Sequence, residues 1–172
     1  ITVNYATSNG TAAAGEDYSA TSGTLTFAGG ETAKLLSIPV LNDSKDEPDE
    51  TLNVTISNPT GGATLANPST AVVTLSDNDD PPTISVNDIS LAEGNENLTA
   101  FTFDVSLSEG SGFPISANWT TSAATATQGV DYQANSGTVN FAPGETTKQV
   151  MVQVYGETLV EINETFNLAL SS

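Results

Sequence analysis

Two segments of this chain have nearly the same sequence, and this repeat restricts the folds that the chain can adopt. The segment GEDYSATSGTLTFAGGETAK (residues 15–34) recurs as GVDYQANSGTVNFAPGETTK (residues 129–148). The similarity extends over residues 1–58 and 115–172, which align without a gap and are identical at about 25 of 58 positions. The chain therefore contains a duplicated structural unit, and an element predicted for one copy is expected in the other.

Each copy alternates apolar and polar residues with a period of two, which is typical of half-buried β-strands. One such run is Leu36, Ile38 and Val40, which matches Val150, Val152 and Val154 in the second copy. Turn sequences such as FAGGE, NPTGG and AEGNEN separate the runs. The pattern predicts an all-β protein without helices.

The segments between the two copies complete the pattern. Residues 71–76 are predicted to form the last strand of the first unit, and residues 83–91 and 99–107 the first two strands of the second. A complete unit then has seven strands, here lettered A to G, which is typical of a β-sandwich. The first unit contains strands C to G and the second contains strands A to F. We expect the strands missing from each unit to come from flanking sequence or from a neighbouring subunit.

The boundary between the units is predicted at Asp80–Pro81–Pro82, because two consecutive prolines cannot donate ladder hydrogen bonds and stiffen the connection. The predicted domains are residues 1–80 and residues 81–172.

The charge of the chain excludes several classes of function. Twenty-one acidic residues and three lysines give a net charge of −18, which repels nucleic acid and anionic membrane surfaces. The chain contains no histidine, cysteine or arginine, so it cannot form the usual catalytic triads or an arginine phosphate clamp, and we expect no enzyme activity. The longest apolar stretch, around residues 35–41, is too short to span a bilayer. Divalent cations are the natural partners of such a surface.

Several motifs in order resemble one family. They include FTFDVSLS (residues 101–108), GVDY (129–132), VEINETF (160–166), TISNPTGGATL (55–65) and LSDND (75–79). Together they are similar to the Calx-beta domain, and the resemblance covers essentially the whole chain. It implies two tandem immunoglobulin-like sandwiches, of a kind found in regulatory loops of sodium–calcium exchangers, in integrin β4 and in arrays within large extracellular adhesins.

The order of the strands predicts that acidic side chains gather at one end of each sandwich, because the ends of strands A, C, E and G lie at the same pole. The acids follow these strands in both units. Calcium takes six to eight oxygen ligands and suits loop carboxylates and carbonyls. The resemblance implies calcium ligands in these loops: Asp17, Asn42, Asp43, Glu47, Asp77 and Asp79 in the first unit, and Glu93, Asp131, Glu157 and Glu161 in the second.

The two sets differ, and a structural role is the alternative for some members. Gly156 stands at the position of Asn42 and Val160 at that of Asp46, so the first unit is expected to bind calcium more readily than the second. The aspartate of the GxDY motif has a second interpretation as a turn cap. The acids of PDE and NE before strand F are alternatively solvated edge charges.

The expected function is that of a non-catalytic extracellular structural or adhesive repeat, with calcium stiffening the junction between units. Its partners would be further repeats of the same chain or neighbouring subunits, and a cell-surface or matrix molecule. The alternatives are a calcium-sensing pair of regulatory domains in a membrane protein and a subunit of an extracellular fibre. We expect neither nucleic-acid binding nor membrane insertion, and an extracellular or cell-surface location.

Overall fold

The computed structural model describes residues 1–172 and consists of β-strands joined by turns and loops. The chain forms two compact units, Ile1–Asp79 and Asp80–Ser172. It has no helix of the length and hydropathy needed to cross a bilayer.

Unit 1 is built on one antiparallel sheet. Its strands are β1 (Thr2–Asn9), β2 (Ser22–Thr26), β3 (Glu50–Ser57) and β4 (Thr70–Leu75), in the order β2-β1-β3-β4. The completely buried apolar side chains are Ala12, Tyr18 and Leu52. Side chains from β3, β4 and the segment before Pro39 pack on this cluster, so the core of unit 1 lies at the end where β3 begins.

Unit 2 is a sandwich of two three-stranded antiparallel sheets. One sheet has the order β5-β6-β9, with β5 at Ile84–Val86, β6 at Leu98–Leu107 and β9 at Thr147–Tyr155. The other has the order β10-β7-β8, with β7 at Ile115–Ala123, β8 at Ser136–Phe141 and β10 at Phe166–Ser171. Alternate side chains of both sheets point inward and form two adjoining clusters. The sandwich architecture predicted from the sequence is confirmed.

The repeated Ser-Gly-Thr sequence has a packing explanation. Gly137 pairs directly with Trp119 across β7 and β8, and Gly23 pairs with Tyr5 in the same way. A Cβ atom on Gly137 would lie 3.0 Å from Nε1 of Trp119. The glycine therefore provides the space in which the aromatic ring lies against the neighbouring strand.

One predicted strand is wrong for unit 1. Leu36, Ile38 and Val40 have the alternation of a strand, but residues 34–41 form only an isolated bridge, between Val40 and Tyr18. In unit 2 the equivalent residues form β9, which pairs along its whole length with β6. Unit 1 has no strand in the position of β6, so residues 34–38 have no neighbouring strand with which to form a ladder.

The strand predicted over residues 83–91 is also shorter than expected. β5 pairs with β6 only over Ile84–Val86. Asn87 continues the contact, because its side-chain Oδ1 accepts a hydrogen bond from Asp104 N at 2.7 Å. The following residues turn away from the sheet and line a cavity.

Candidate metal centre

Asp131 is fixed by the turn that follows β7. Its Oδ2 accepts a hydrogen bond from Thr127 N at 2.6 Å, which caps the turn. Its backbone carbonyl accepts from Tyr155 N at 2.9 Å, at the end of β9. Asp17 makes the same two contacts in unit 1, with Ala13 N and Leu41 N. The turn-cap interpretation of this aspartate is therefore correct for one oxygen, and the backbone contact holds the residue beside the loop that follows β9.

Three carboxylates converge in unit 2. Oxygens of Asp131, Glu157 and Glu161 lie within 4.8 Å of one another. A hydrogen bond that protonated Glu161 donates to the Glu157 carboxylate, followed by the charge of Glu157, raises the pKa of Glu161. Two carboxyl groups form such a bond only when they share a proton, so the arrangement is costly when all three are ionised.

A fourth carboxylate borders this cluster. Desolvation is the largest cause of the raised pKa of Glu164, followed by a hydrogen bond with Asp131 and by the charges of Asp131, Glu161 and Glu93. Glu93 therefore also belongs to the same acidic region. The loops after β5, β7 and β9 contribute to it, as the strand order predicted.

These residues fit a calcium ion. Like charges brought within about 4–5 Å repel by roughly 1–4 kcal/mol per pair near a surface, and a divalent cation removes that cost. Carboxylate oxygens are the ligands that calcium prefers, and its coordination shell tolerates the irregular geometry of loops. Asp131, Glu157 and Glu161 would provide the protein ligands of a bound ion.

The acidic loop of unit 1 is organised around a lysine. Lys45 forms an ion pair with Glu47. Its hydrogen bond to Glu47, followed by the charges of Glu47, Asp43 and Glu16, raises the pKa of Lys45. The backbone N of Lys45 also donates to Asp43 Oδ1 at 3.0 Å. The ammonium group thus neutralises carboxylates that a metal ion would otherwise compensate. The carboxylates of unit 2 therefore fit a metal better than those of unit 1, although the sequence favoured unit 1.

The other predicted ligands of unit 1 make local contacts. The Asn42 side chain donates to the carbonyl of Asp43 at 2.8 Å. Asp77 N donates to Asp49 Oδ1 at 3.1 Å, and Asp79 N donates to Asp77 Oδ2 at 3.4 Å. Asp77 and Asp79 therefore lie beside the start of β3, with Asp49 as the neighbouring acid.

Gly156, which replaces Asn42 in the second copy, lies where two loops approach closely. A Cβ atom there would be 3.0 Å from Glu96 N and 3.1 Å from the carbonyl of Glu93. Gly156 N donates to the carbonyl of Asn97 at 2.8 Å. The glycine thus removes one ligand from the site but brings the Glu93 loop against the end of β9.

The ligand set predicted from the sequence omitted Glu50 and Glu164. Glu50 begins β3 and Glu164 lies two residues before β10, and the side chain of the GxDY aspartate in each unit contributes to the raised pKa of the nearby glutamate. Desolvation is the largest cause of the raised pKa of Glu50 as well. Their occurrence at equivalent positions of both copies, in DETL and NETF, was the available signal.

The family follows from a comparison with known domain families. The Calx-beta domain model matches residues 1–79 and again residues 77–172. The chain belongs to the Calx-beta family. The resemblance seen in the sequence is thereby confirmed, and a chain made of two such domains is a non-catalytic module.

Similar proteins include receptors and transporters. The chain is 32% identical over 166 residues to the adhesion G-protein coupled receptor V1 of Danio rerio. The aligned region covers 94% of this chain and 3% of the receptor. The chain is 30% identical over 166 residues to the sodium/calcium exchanger Calx of Drosophila melanogaster, covering 96% of this chain and 17% of the exchanger. The chain thus spans less than a fifth of the length of these two Calx-beta relatives.

Solved structures also resemble the chain. The calcium binding domain CBD12 of CALX1.1 covers 99% of this chain and 66% of that structure, with 26% identity and a TM-score of 0.45. CBD12 from CALX1.2 covers 89% of this chain and 63% of that structure, with 27% identity and a TM-score of 0.45. The family assignment rests on the domain match.

Proposed function

We propose that this Calx-beta pair is a calcium-binding structural module, and that Asp131, Glu157 and Glu161 of unit 2 bind the ion. The observation that carries the proposal is the convergence of their carboxylate oxygens within 4.8 Å. In the absence of a cation these groups can reduce their repulsion only by sharing protons, as the raised pKa of Glu161 indicates.

The structural role is supported by composition and by one relative. The net charge of −18 and the absence of cysteine suit a surface that calcium, and not disulfide bonds, stabilises. The matching part of the adhesion receptor is 3% of its length. We propose that this chain acts as a repeat in an extracellular or cell-surface protein, with further repeats as neighbours and a cell-surface or matrix molecule as partner.

Isothermal titration of the full chain with calcium tests the proposal. We expect binding in wild type, its loss in the double variant Glu157→Gln with Glu161→Gln, and little change in Asp43→Asn, which alters unit 1. Circular dichroism checks that each variant is folded. Absence of binding in wild type, or a loss confined to Asp43→Asn, would contradict the proposal.

A calcium-sensing regulatory pair is the second candidate. The exchanger Calx matches 96% of this chain, so both domains together correspond to a part of that transporter. The same titration separates the two roles by affinity. Extracellular structural sites have dissociation constants of about 0.1–1 mM, whereas sensors bind at about 0.1–10 µM.

A further inference from the structure

Asn-x-Ser/Thr, the acceptor motif for N-linked glycans, occurs six times in this chain. The asparagines are Asn9, Asn42, Asn53, Asn97, Asn118 and Asn163. The motif alone does not select among them, because asparagine, serine and threonine are abundant here. A modified asparagine also needs a side chain that reaches solvent and that the fold does not require, and the structure distinguishes the six sites by this criterion.

Three of the sites lie in paired strands, where the asparagine side chain is part of the fold. Oδ1 of Asn9, at the end of β1, accepts a hydrogen bond from the Tyr18 hydroxyl at 2.7 Å. The Asn53 side chain in β3 donates to the carbonyl of Asn9 at 3.3 Å. Oδ1 of Asn118 in β7 accepts from the Thr138 hydroxyl at 2.9 Å. A transferase could bind these motifs as free segments only if the strand pairing opened.

Two further sites belong to the acidic loops. The Asn42 side chain donates to the carbonyl of Asp43 at 2.8 Å. Asn163 corresponds to Asp49 of unit 1, whose Oδ1 accepts from Asp77 N at 3.1 Å. In a complete unit, residues that follow the last strand therefore lie against this position, so it is not a free surface.

Asn97 has the arrangement that the other sites lack. It lies directly before β6, with a φ of 65°, a left-handed conformation that asparagine adopts more easily than most residues. Its backbone carbonyl accepts a hydrogen bond from Gly156 N at 2.8 Å. Its side chain is exposed, and the neighbouring Leu98 is 45% exposed. The fold thus uses the backbone of Asn97 and leaves the side-chain amide accessible at the surface.

Thr99 completes the motif and closes the turn. Its hydroxyl donates to the carbonyl of Glu93, on the other side of the turn. The turn is therefore held by the Thr99 hydroxyl and by the backbone of Asn97. A bulky group on the Asn97 side chain would replace none of these contacts.

We propose that Asn97 is an N-glycosylation site, an inference that rests on the proposed extracellular location of the chain. The substrate is a lipid-diphosphate-linked oligosaccharide of the secretory pathway. Nδ2 of Asn97 forms a bond to C1 of the first sugar, while the bond between C1 and the diphosphate oxygen breaks. The lipid diphosphate leaves with the electron pair of that bond, and the amide nitrogen loses one proton. The product is a bulky, solubilising group on the turn before β6.

The full chain, expressed behind a cleavable secretion signal in cultured animal cells, tests the site. Peptide-N-glycosidase in water labelled with heavy oxygen converts each glycosylated asparagine to a labelled aspartate, and tandem mass spectrometry locates the label. We expect the label at Asn97 in a larger fraction of the secreted chains than at any of the three strand sites. Chain retained inside the cells is measured in the same way, so the readout does not depend on secretion.

Substitutions in the motif provide the controls. Asn97→Gln and Thr99→Ala should each remove the mass of one glycan, whereas Thr99→Ser keeps the motif and should keep the glycan. Asn118→Gln is the matched control and should leave the label at Asn97 unchanged.

Three results would overturn the proposal. They are no label at Asn97, a labelled fraction there no higher than at Asn118, and a glycan at Asn97 that persists after Thr99→Ala. Calcium titration of chain produced in bacteria without glycans tests the metal centre alone, so failure of that centre and failure of this site are distinguishable.

Discussion

Glu157 is a residue whose charge has opposite consequences with and without calcium. In chelator its carboxylate repels Asp131 and Glu161, so Glu157→Gln should raise the thermal midpoint of unit 2. With calcium the same substitution removes a ligand, so the thermal midpoint of the variant should lie below that of wild type. Thermal unfolding in both conditions measures this reversal of sign.

Glu109→Gln is the matched control for Glu157→Gln, because Glu109 lies in the loop after β6, at the end of the sandwich opposite the acidic cluster. It should shift the midpoint equally in chelator and in calcium. A Glu157→Gln effect of the same sign in both conditions would show that Glu157 is not a ligand.

Tyr132 offers a second test at the scale of single residues. Its hydroxyl is buried and has no hydrogen-bond partner. In unit 1 the hydroxyl of Tyr18 donates to Asn9 Oδ1 at 2.7 Å, and Ala123 occupies the position of Asn9 in unit 2. Ala123→Asn should therefore stabilise unit 2 by about 1 kcal/mol. Urea unfolding followed by Trp119 fluorescence measures the change, and an unchanged or lower midpoint would refute the explanation.

The sequence identified individual acids better than it identified their partners. The parity of the strands was enough to bring Asp131, Glu157 and Glu161 to one pole. It could not show that Lys45 pairs with Glu47, because the side-chain direction within a loop depends on its local conformation. Glu164 was interpreted as an edge charge because its contact with Asp131 crosses 33 positions of sequence.

At the scale of elements, pairing decides whether a strand-like sequence forms a strand. Residues 34–41 and β9 share their alternation, yet only β9 has a neighbouring strand, β6. Periodicity predicts which face of a segment is apolar, but it does not predict whether a neighbouring strand is available for pairing. The shorter β5 has the same cause, because pairing with β6 ends at Val86.

The pairing of β7 with β8 depends on the glycine beneath Trp119. A methyl group on Gly137 would press on Nε1 and Cε2 of the indole, at 3.0 and 3.2 Å. Gly137→Ala should therefore destabilise unit 2 by about 1–3 kcal/mol, the usual cost of overpacking. Gly29→Ala is the control, because no atom lies within 4 Å of its added Cβ. Equal stability of the two variants in denaturant unfolding would contradict this account of the motif.

At the scale of the whole molecule, the two units differ in the size of their cores. Three of the fourteen buried apolar residues lie in unit 1, and the others lie in unit 2. Since buried apolar area is the main source of stability, unit 1 should unfold at a lower temperature. Trp119, the single tryptophan, reports on unit 2 alone, whereas far-ultraviolet circular dichroism reports on both. We expect the fluorescence transition at a higher temperature than the first transition seen by circular dichroism. A single transition at the same temperature by both methods would contradict this prediction.

The stability of the molecule in chelator should increase when the pH is lowered from 7 towards about 5. The pKa values of Glu50, Glu161 and Glu164 are raised above 4.5, so the folded state binds more protons than the unfolded state in this window. Stability is therefore lost as the pH rises through the raised pKa values. Below about 4.5 the trend should reverse, because lysine hydrogen bonds lower the pKa values of Glu31 and Glu145 and these ion pairs are lost on protonation. Thermal unfolding at a series of pH values measures this trend. A thermal midpoint that falls steadily as the pH is lowered from 7 to 5 would contradict the prediction.

The central claim is that the carboxylates of unit 2 bind calcium, and the unfolding of unit 2 followed by Trp119 fluorescence tests it most directly. An ion at ten times its dissociation constant adds about 1.4 kcal/mol to the folded state. With about 5 mM calcium, a concentration suited to weak extracellular sites, the midpoint should rise by about 5–10 °C relative to chelator. Identical midpoints in chelator and calcium would contradict the claim.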